Sequence, residues 1–320
     1  MLASCGQPSS DGVPAVQTRK SVTWRLASSF SRSLDTIYGA SEVLADRVSE
    51  LTDGRFRIRP YPGGELVPAL EVLGAVQTGT IQMGHSASYY YVGKNPTFAF
   101  DTCVPFGLTA RMQNAWLYYA GGLEQMRAVF ADFNIVNLPG GNTGVQMGGW
   151  FRREIDSLSD LRGLKMRIPG LGGQVMDRLG VNVQLISSGE IFPALERGAI
   201  DATEWVGPYD DEKLGFHKVA KNYYYPGWWE PGPTLSFYVN RSAWDTLPAE
   251  YQSALESAAA EANVRMLARY DAQNPPALRR LLDGGVKLKR FPIDILDAAR
   301  KQAFDIMNQQ ASSEAGYRRV

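Results

Sequence analysis

An arginine on a short strand that runs into a glycine-rich turn can hold an anion, and Asp160-Leu161-Arg162-Gly163-Leu164-Lys165-Met166-Arg167-Ile168-Pro169-Gly170 contains one. Arg167 alternates in register with Lys165, and its planar fork can donate two parallel hydrogen bonds to a carboxylate. On these residues alone it is equally an ordinary half-exposed strand arginine, since most are solvated or paired at a rim. A second group is Glu204-Trp205, which ends a strand just before the Gly207-Pro208 break. Glu204 there is a candidate general base, metal ligand or surface acid, and Trp205 a core residue or a cleft wall. Between Tyr223 and Pro233, five aromatics and Glu230 lie among Pro and Gly breaks, a pattern that a β edge with a loop explains as well as a cleft wall does.

Composition narrows the chemistry. Thirty-three Lys plus Arg balance 33 Asp plus Glu over 320 residues, so no global field would hold the chain on nucleic acid or an anionic membrane. The two cysteines, Cys5 and Cys103, and the two histidines, His85 and His217, cannot build a His/Cys zinc cage or a framework of several disulfides. Any metal must use oxygen ligands. Cys103 sits in an apolar context and reads as an inert buried thiol. No apolar run of about 18 residues occurs. Residues 1–20 are small and polar and read as a disordered leader or the remnant of an export region. Within them Leu2-Ala3-Ser4-Cys5 has the form of a lipoprotein cleavage box, which would anchor the chain through Cys5; a chance match in a Ser/Ala-rich stretch gives the same residues.

The elements that must position these residues follow from periodicity. Residues 22–27 alternate as a strand, residues 35–51 carry apolar residues at helical spacing, residues 55–59 alternate strictly, residues 65–78 form a second amphipathic helix, and residues 81–86 a third strand. Short Gly-marked joints between them imply βαβ crossovers and a parallel sheet. A long helix is expected over Met112 to Phe130. Strands follow near Ile135, at Val145 to Trp150, Leu164 to Ile168, Val183 to Ile186 and Ile200 to Glu204, with helices at Gln174 to Leu179 and Ile191 to Glu196. Thr234 to Asn240 is again extended, and helix dominates from Pro248 to Met307, broken at Asn274-Pro275-Pro276 and at Gly284-Gly285. Two α/β units suggest a ligand in the crevice between them, near the strand ends.

Taken together and in order, GHSASYYYVGKNPTFAFDTCVPFGL, GNTGVQMGGWF, DLRGLKMRIPGLGG, GAIDATEWVGPYDDEKLGF and YYYPGWWEPGP resemble the DctP-type substrate-binding proteins of tripartite ATP-independent periplasmic (TRAP) transporters. The resemblance covers about residues 20–320 and is greatest to the branch that binds 2-oxo acids and related monocarboxylates with a cation. It implies a two-lobed, type II-like periplasmic-binding-protein fold of α/β class, with a hinge and a long lobe-spanning helix. Residues 21–143 with about 234–260 would form lobe I, and 144–233 with part of about 261–320 lobe II and the C-terminal helices. Arg167 then matches the arginine that pairs with the substrate carboxylate. Gln146, Glu204 and Trp205 match positions that gather around a cation and substrate, and Tyr90, Tyr91, Asn142 and Glu230 lie in matching segments as cleft liners, Glu230 also as a cation ligand. Hard oxygens from these residues suit Na⁺ first and Ca²⁺ second.

The resemblance further implies a periplasmic location, membrane transporter subunits as partners, and a homodimer through the C-terminal helix. A sensor module presenting the same ligand to a receptor is the alternative within the fold. An acid/base enzyme pairing Glu204 with His85 or Asp210 is the competing class. No Ser/His/Asp order, nucleophile elbow, phosphate loop or HExxH motif supports it, so the expectation is no enzyme. The acid itself, pyruvate, a longer 2-oxo acid or lactate, rests on cleft volume.

Overall fold

The computed structural model describes residues 21–320. The expected leader and the Cys5 box lie outside the described residues. Strand β1 (Val22–Ser28) is followed by helix α1 (Gly39–Leu51), β2 (Phe56–Tyr61), α2 (Val72–Gln77) and β3 (Met83–Ser86). Helices α3 (Phe98–Thr102), α4 (Ala110–Tyr119) and α5 (Gly122–Ala131) lead to β4 (Ile135–Asn142). Next come β5 (Trp150–Phe151), β6 (Lys165–Arg167), α6 (Gly170–Arg178), β7 (Asn182–Gln184), α7 (Ser188–Glu196), β8 (Ala202–Thr203), α8 (Pro208–Leu214) and β9 (Asn222–Tyr225). The chain ends with β10 (Thr234–Asn240), α9 (Arg241–Asp245), α10 (Ala249–Asp283), β11 (Lys287–Arg290), α11 (Ile293–Ser313) and α12 (Ala315–Arg319).

Two sheets result. The first has the order β2-β1-β3-β10-β4 and the second β11-β9-β5-β8-β6-β7. The expected βαβ crossovers place β1, β2 and β3 parallel, but the sheet is mixed, because β10 arrives from far along the chain and runs antiparallel to β3 and β4. All seven residues of β10 are buried, as its continuous apolar sequence requires of an interior strand. The chain passes between the sheets at residues 143–149, at 226–233, and along α10 on the way to β11.

Several elements differ from their periodicity. The helix expected over 65–78 forms only at Val72–Gln77, since Pro68 has no amide hydrogen to donate and pushes its predecessor out of the helical region. The long helix over Met112 to Phe130 is two, because Gly121 stands at φ +81° and reverses the chain between α4 and α5. Helix α1 starts at Gly39, four residues later than expected. The stretch 145–150 is irregular up to Trp150, since it crosses between the sheets. The break expected at Asn274-Pro275-Pro276 is absent: α10 runs its 35 residues straight through, about 50 Å of helix. The carbonyls that the prolines leave unbonded, those of Asp271 and Ala272, lie on exposed residues where water can serve them. The break at Gly284-Gly285 does occur.

Helix α10 packs on α1 and β4 at the first sheet and on α8 at the second. Helix α11 covers α6, and α12 returns to the first sheet's side, where Tyr317 packs on Phe100 at 4.6 Å. Trp150 stacked on Tyr223 at 3.9 Å anchors the second sheet's core. Among the described residues no helix is long and apolar enough to cross a membrane.

Candidate functional site

The site is built on the two segments that pass between β4 and β5 and between β9 and β10. They are bonded to one another along their length: Thr143 N donates to Pro233 O at 3.1 Å, Gln146 N to Glu230 O at 3.3 Å, and Gly227 N to Gln146 O at 3.1 Å. The approach is close enough to require glycine, since a Cβ on Gly227 would stand 2.5 Å from the Gln146 carbonyl oxygen. The Gln146 side chain donates from Nε2 to Thr143 Oγ1 at 3.1 Å, and its buried Oε1 has no partner.

Arg167 ends β6, opposite Thr203 in the parallel neighbour β8, so Glu204 leaves the sheet beside it. Both side chains are buried and form an ion pair, with Arg167 Nη1 on a Glu204 carboxylate oxygen. Nη1 also reaches the Glu204 carbonyl at 3.3 Å, Nε donates to Ile186 O at 3.2 Å, and the Trp205 ring lies 5.2 Å from the guanidinium carbon. The second Glu204 oxygen, Oε2, is buried without a partner.

The first sheet contributes the 3₁₀ turn Ser88–Tyr91 after β3. Tyr89 donates from its hydroxyl to Glu230 Oε2 at 3.3 Å, and Tyr90 stands beside the Arg167 guanidinium in the wall of the same cavity. Tyr91, expected in the cleft, is elsewhere. Successive side chains on a three-residue turn point about 120° apart, and the Tyr91 hydroxyl instead meets Ser86 Oγ at 3.1 Å and accepts from Leu73 N at 3.3 Å. Asn142 is also not a liner. Its amide donates to Gly232 O at 3.0 Å and Thr234 Oγ1 at 3.3 Å, and its Oδ1 accepts from Gly144 N at 2.8 Å, so every part of it is spent on holding the crossing segments.

Burial, and then the charge of Glu204, push the Glu230 carboxyl well above its ordinary range, with Arg167 pulling against them. Burial pushes the Glu204 carboxyl up and Asp211 adds to this, while the Arg167 guanidinium it pairs with holds it down. Two buried carboxylates, with Glu204 raising Glu230, and partnerless buried oxygens on Glu204 and Gln146 make a surrounding in which a cation would be stabilised. Gln146 Oε1, Glu204 Oε2 and the Glu230 carboxylate fit that group, and the Trp205 carbonyl follows Glu204 directly in the chain. These donors are all oxygens, the chemistry that hard cations take.

The cavity is lined by Arg167, Gln146, Thr143, Tyr89 and Tyr90 together with Phe30, Ile37, Ala87, Trp205, Val206 and Leu235. Of the residues expected from sequence, Arg167, Gln146, Glu204, Trp205, Tyr90 and Glu230 converge. Tyr89, Thr143 and the apolar liners were missed, although Phe30, Tyr89 and Thr143 all stand just after strands, where the crevice rule points. His85 is not poised for acid/base work. It is fully buried, its Nδ1 lies 3.1 Å from Ser41 Oγ, and burial holds its pKa down to about 3. Cys103 is buried, with its thiol pushed well up by burial and by Glu230 and Glu204.

Residues 27–314 match the family DctP, bacterial extracellular solute-binding protein, family 7. The chain is 57% identical over 319 residues to a monocarboxylate 2-oxoacid-binding periplasmic protein of Nostoc sp., covering 100% of this chain and 87% of that one. A TRAP transporter solute-binding protein from Bordetella bronchiseptica, whose crystal structure holds copurified calcium and picolinate, superposes with a TM-score of 0.93 at 50% identity, covering 94% of this chain and 90% of that one. A TRAP periplasmic solute-binding protein from Pseudoalteromonas atlantica with bound sodium and pyruvate gives 0.91 at 43% identity, covering 94% and 92%. An α/β chain of two sheets with a site on the segments between them, matched over nearly its whole length by these proteins, is a member of the DctP family of bacterial extracellular solute-binding proteins.

Proposed function

We propose that this protein captures a short 2-oxo acid together with a cation outside the cytoplasm and delivers the acid to the membrane component of a TRAP transporter. The observation that carries this reading is the buried Arg167 guanidinium beside the partnerless oxygens of Gln146 and Glu204. Arg167 binds the acid's carboxylate, Tyr90 orients it, and Gln146, Glu204, Glu230 and the Trp205 carbonyl hold the cation. A bound cation supplies positive charge next to that carboxylate and offsets the cost of burying it. Pyruvate and picolinate, found in the two related structures, both place a second donor atom next to a carboxylate, the pattern an arginine and a cation hold together. With one full ion pair already formed by Arg167 and Glu204, the site carries little surplus negative charge, which favours Na⁺ with Ca²⁺ second.

We further infer that residues 21–143 with about 234–260 move as one lobe against 144–233 with part of about 261–320, and that the crossing segments bend between them. Calorimetric titration of pyruvate into protein dialysed against a bulky organic cation, repeated with NaCl and with CaCl₂, tests the assignment. Binding should be weak in the first buffer and at least tenfold tighter in one of the others, with pyruvate recovered unchanged after long incubation. Equal affinity in all three buffers would remove the cation from the reading, and consumption of pyruvate would make the protein an enzyme.

A further inference from the structure

We propose that Phe30 and Ile37 set the chain length of the acid, closing on its alkyl end while Arg167 holds its carboxylate. This deepens the reading of the site as a 2-oxo acid receptor and rests on it. The cavity lining divides by chemistry into the polar groups of Arg167, Gln146, Thr143 and the tyrosines and the apolar side chains of Phe30, Ile37, Val206 and Leu235. Trp205 joins the halves: its ring lies 5.2 Å from the Arg167 guanidinium carbon and 6.3 Å from the Phe30 ring, which meets it edge-on. Arg167 and Trp205 belong to the second sheet's side, whereas Phe30 and Ile37 stand in the connection between β1 and α1 on the first. Closure of one side on the other therefore brings Phe30 and Ile37 down on whatever part of the acid points away from the arginine.

Phe30 is built not to yield. Its amide donates to Ser28 Oγ at 3.1 Å and its carbonyl accepts from Gly63 N at 2.9 Å. Behind the ring, 5.3 Å away and edge-on, stands His85, itself stacked on Phe237 at 4.6 Å. Ile37 is likewise buried, at 2% exposure. The cavity here has a free volume of about 10 Å³, near the least that admits one water, so on this reading an acid enters when the two sides part and meets Phe30 and Ile37 as they come together again. With the sides closed around the acid, a methyl or ethyl tail leaves Phe30 and Ile37 near their packed positions, and each further methylene must displace a packed side chain.

The test is calorimetry at saturating NaCl or CaCl₂ with pyruvate, 2-oxobutyrate, 2-oxopentanoate and 2-oxohexanoate, on the natural protein and on Phe30→Leu and Ile37→Ala, each checked for a cooperative melt. Phe30→Leu removes less buried volume and carries the test should Ile37→Ala not fold. The natural protein should lose at least tenfold in affinity between the C3–C4 and the C6 acid. The variants should recover the longer acids relative to pyruvate by about fourfold per methylene accommodated. An unchanged ratio in both variants, or a natural protein that takes 2-oxohexanoate as well as pyruvate, overturns the inference and leaves the receptor reading standing. A natural protein that binds none of the four acids overturns that reading, and this inference with it.

Discussion

Arg167 and Glu204 meet as an ion pair with both side chains buried, at the ends of two neighbouring parallel strands. If Arg167 anchors the acid as proposed, the acid's carboxylate must share or take over donors that a protein carboxylate already uses. Removing either partner leaves the other charged and buried, which is costly in a way that removing an exposed pair is not.

Replacing Arg167 with lysine should weaken acid binding at least about 100-fold, because a point-charge ammonium cannot serve Ile186 O, Glu204 and a substrate carboxylate at once. Arg167→Gln should in addition lower stability by about 3 kcal/mol, through the uncompensated Glu204. Calorimetry and urea unfolding measure the two effects. Binding by Arg167→Lys within threefold of the natural protein would show that the fork is not engaged.

Gln146→Glu places a third carboxylate where a neutral, partnerless oxygen now stands. Added ligand charge favours the doubly charged ion. The preference for Ca²⁺ over Na⁺, read from competition titrations in the presence of pyruvate, should rise by at least tenfold, while Gln146→Leu should weaken both ions. An unaltered ion preference in Gln146→Glu would place Gln146 outside the cation's ligands.

Asp210 supplies a pH signature. Burial pushes it up to about 6, Tyr270 donates to its Oδ2 at 2.6 Å, and its buried Oδ1 has no partner and is free to carry a proton. The unfolded chain loses that proton near pH 4 and the folded one near 6, so the folded state binds more protons in between. This contribution is complete below about pH 4 and is lost as pH rises through about 6. The stability of the natural protein relative to Asp210→Asn should fall by about 3 kcal/mol between pH 4 and 7. Parallel stability curves across that range would show that Asp210 is ionised throughout.

Asp35, just before α1, reaches across to Lys213 and Tyr209 on α8 and to Arg269 on α10, the last at 2.5 Å and the tyrosine at 3.2 Å. On the lobe motion proposed above, the contacts with Lys213 and Tyr209 on α8 would form as the two sides close. They are partly exposed, so together they contribute about 1 kcal/mol, and Asp35→Ala should speed acid release by roughly fivefold. The difference should shrink above about 0.5 M salt, where exposed charges are screened. Stopped-flow release at two ionic strengths checks it.

The convergence of Arg167, Gln146, Glu204 and Glu230, which we propose as anchor and cation ligands, was legible because they stand at or near strand ends in segments rich in Gly, Pro and aromatics, where a family likeness also points. Tyr91 and Asn142 were misplaced for a geometric reason. Neighbours on a tight turn diverge, so Tyr90 meets Arg167 while Tyr91 turns to Ser86, and a buried amide at a strand end can be used up by backbone, as Asn142 is. Ile37 gave no local signal, and Phe30 only its place after β1, since an apolar residue reads the same in a core and in a ligand's wall. The continuity of α10 through Pro275-Pro276 was hidden because local propensity does not register that the freed carbonyls face water.

Gln146 and Glu230 ride on segments tied to each other by successive backbone hydrogen bonds, with Gly227 letting the two chains touch. Two chains tied in this way behave as a ribbon rather than as two ropes: a ribbon flexes about its flat axis and resists twisting and sideways shear. On the lobe motion proposed above, opening would then follow a single track, and the mouth would present the same rim each time it parted. An acid entering by that rim would leave by it, so a membrane protein receiving the acid would have one doorway to fit.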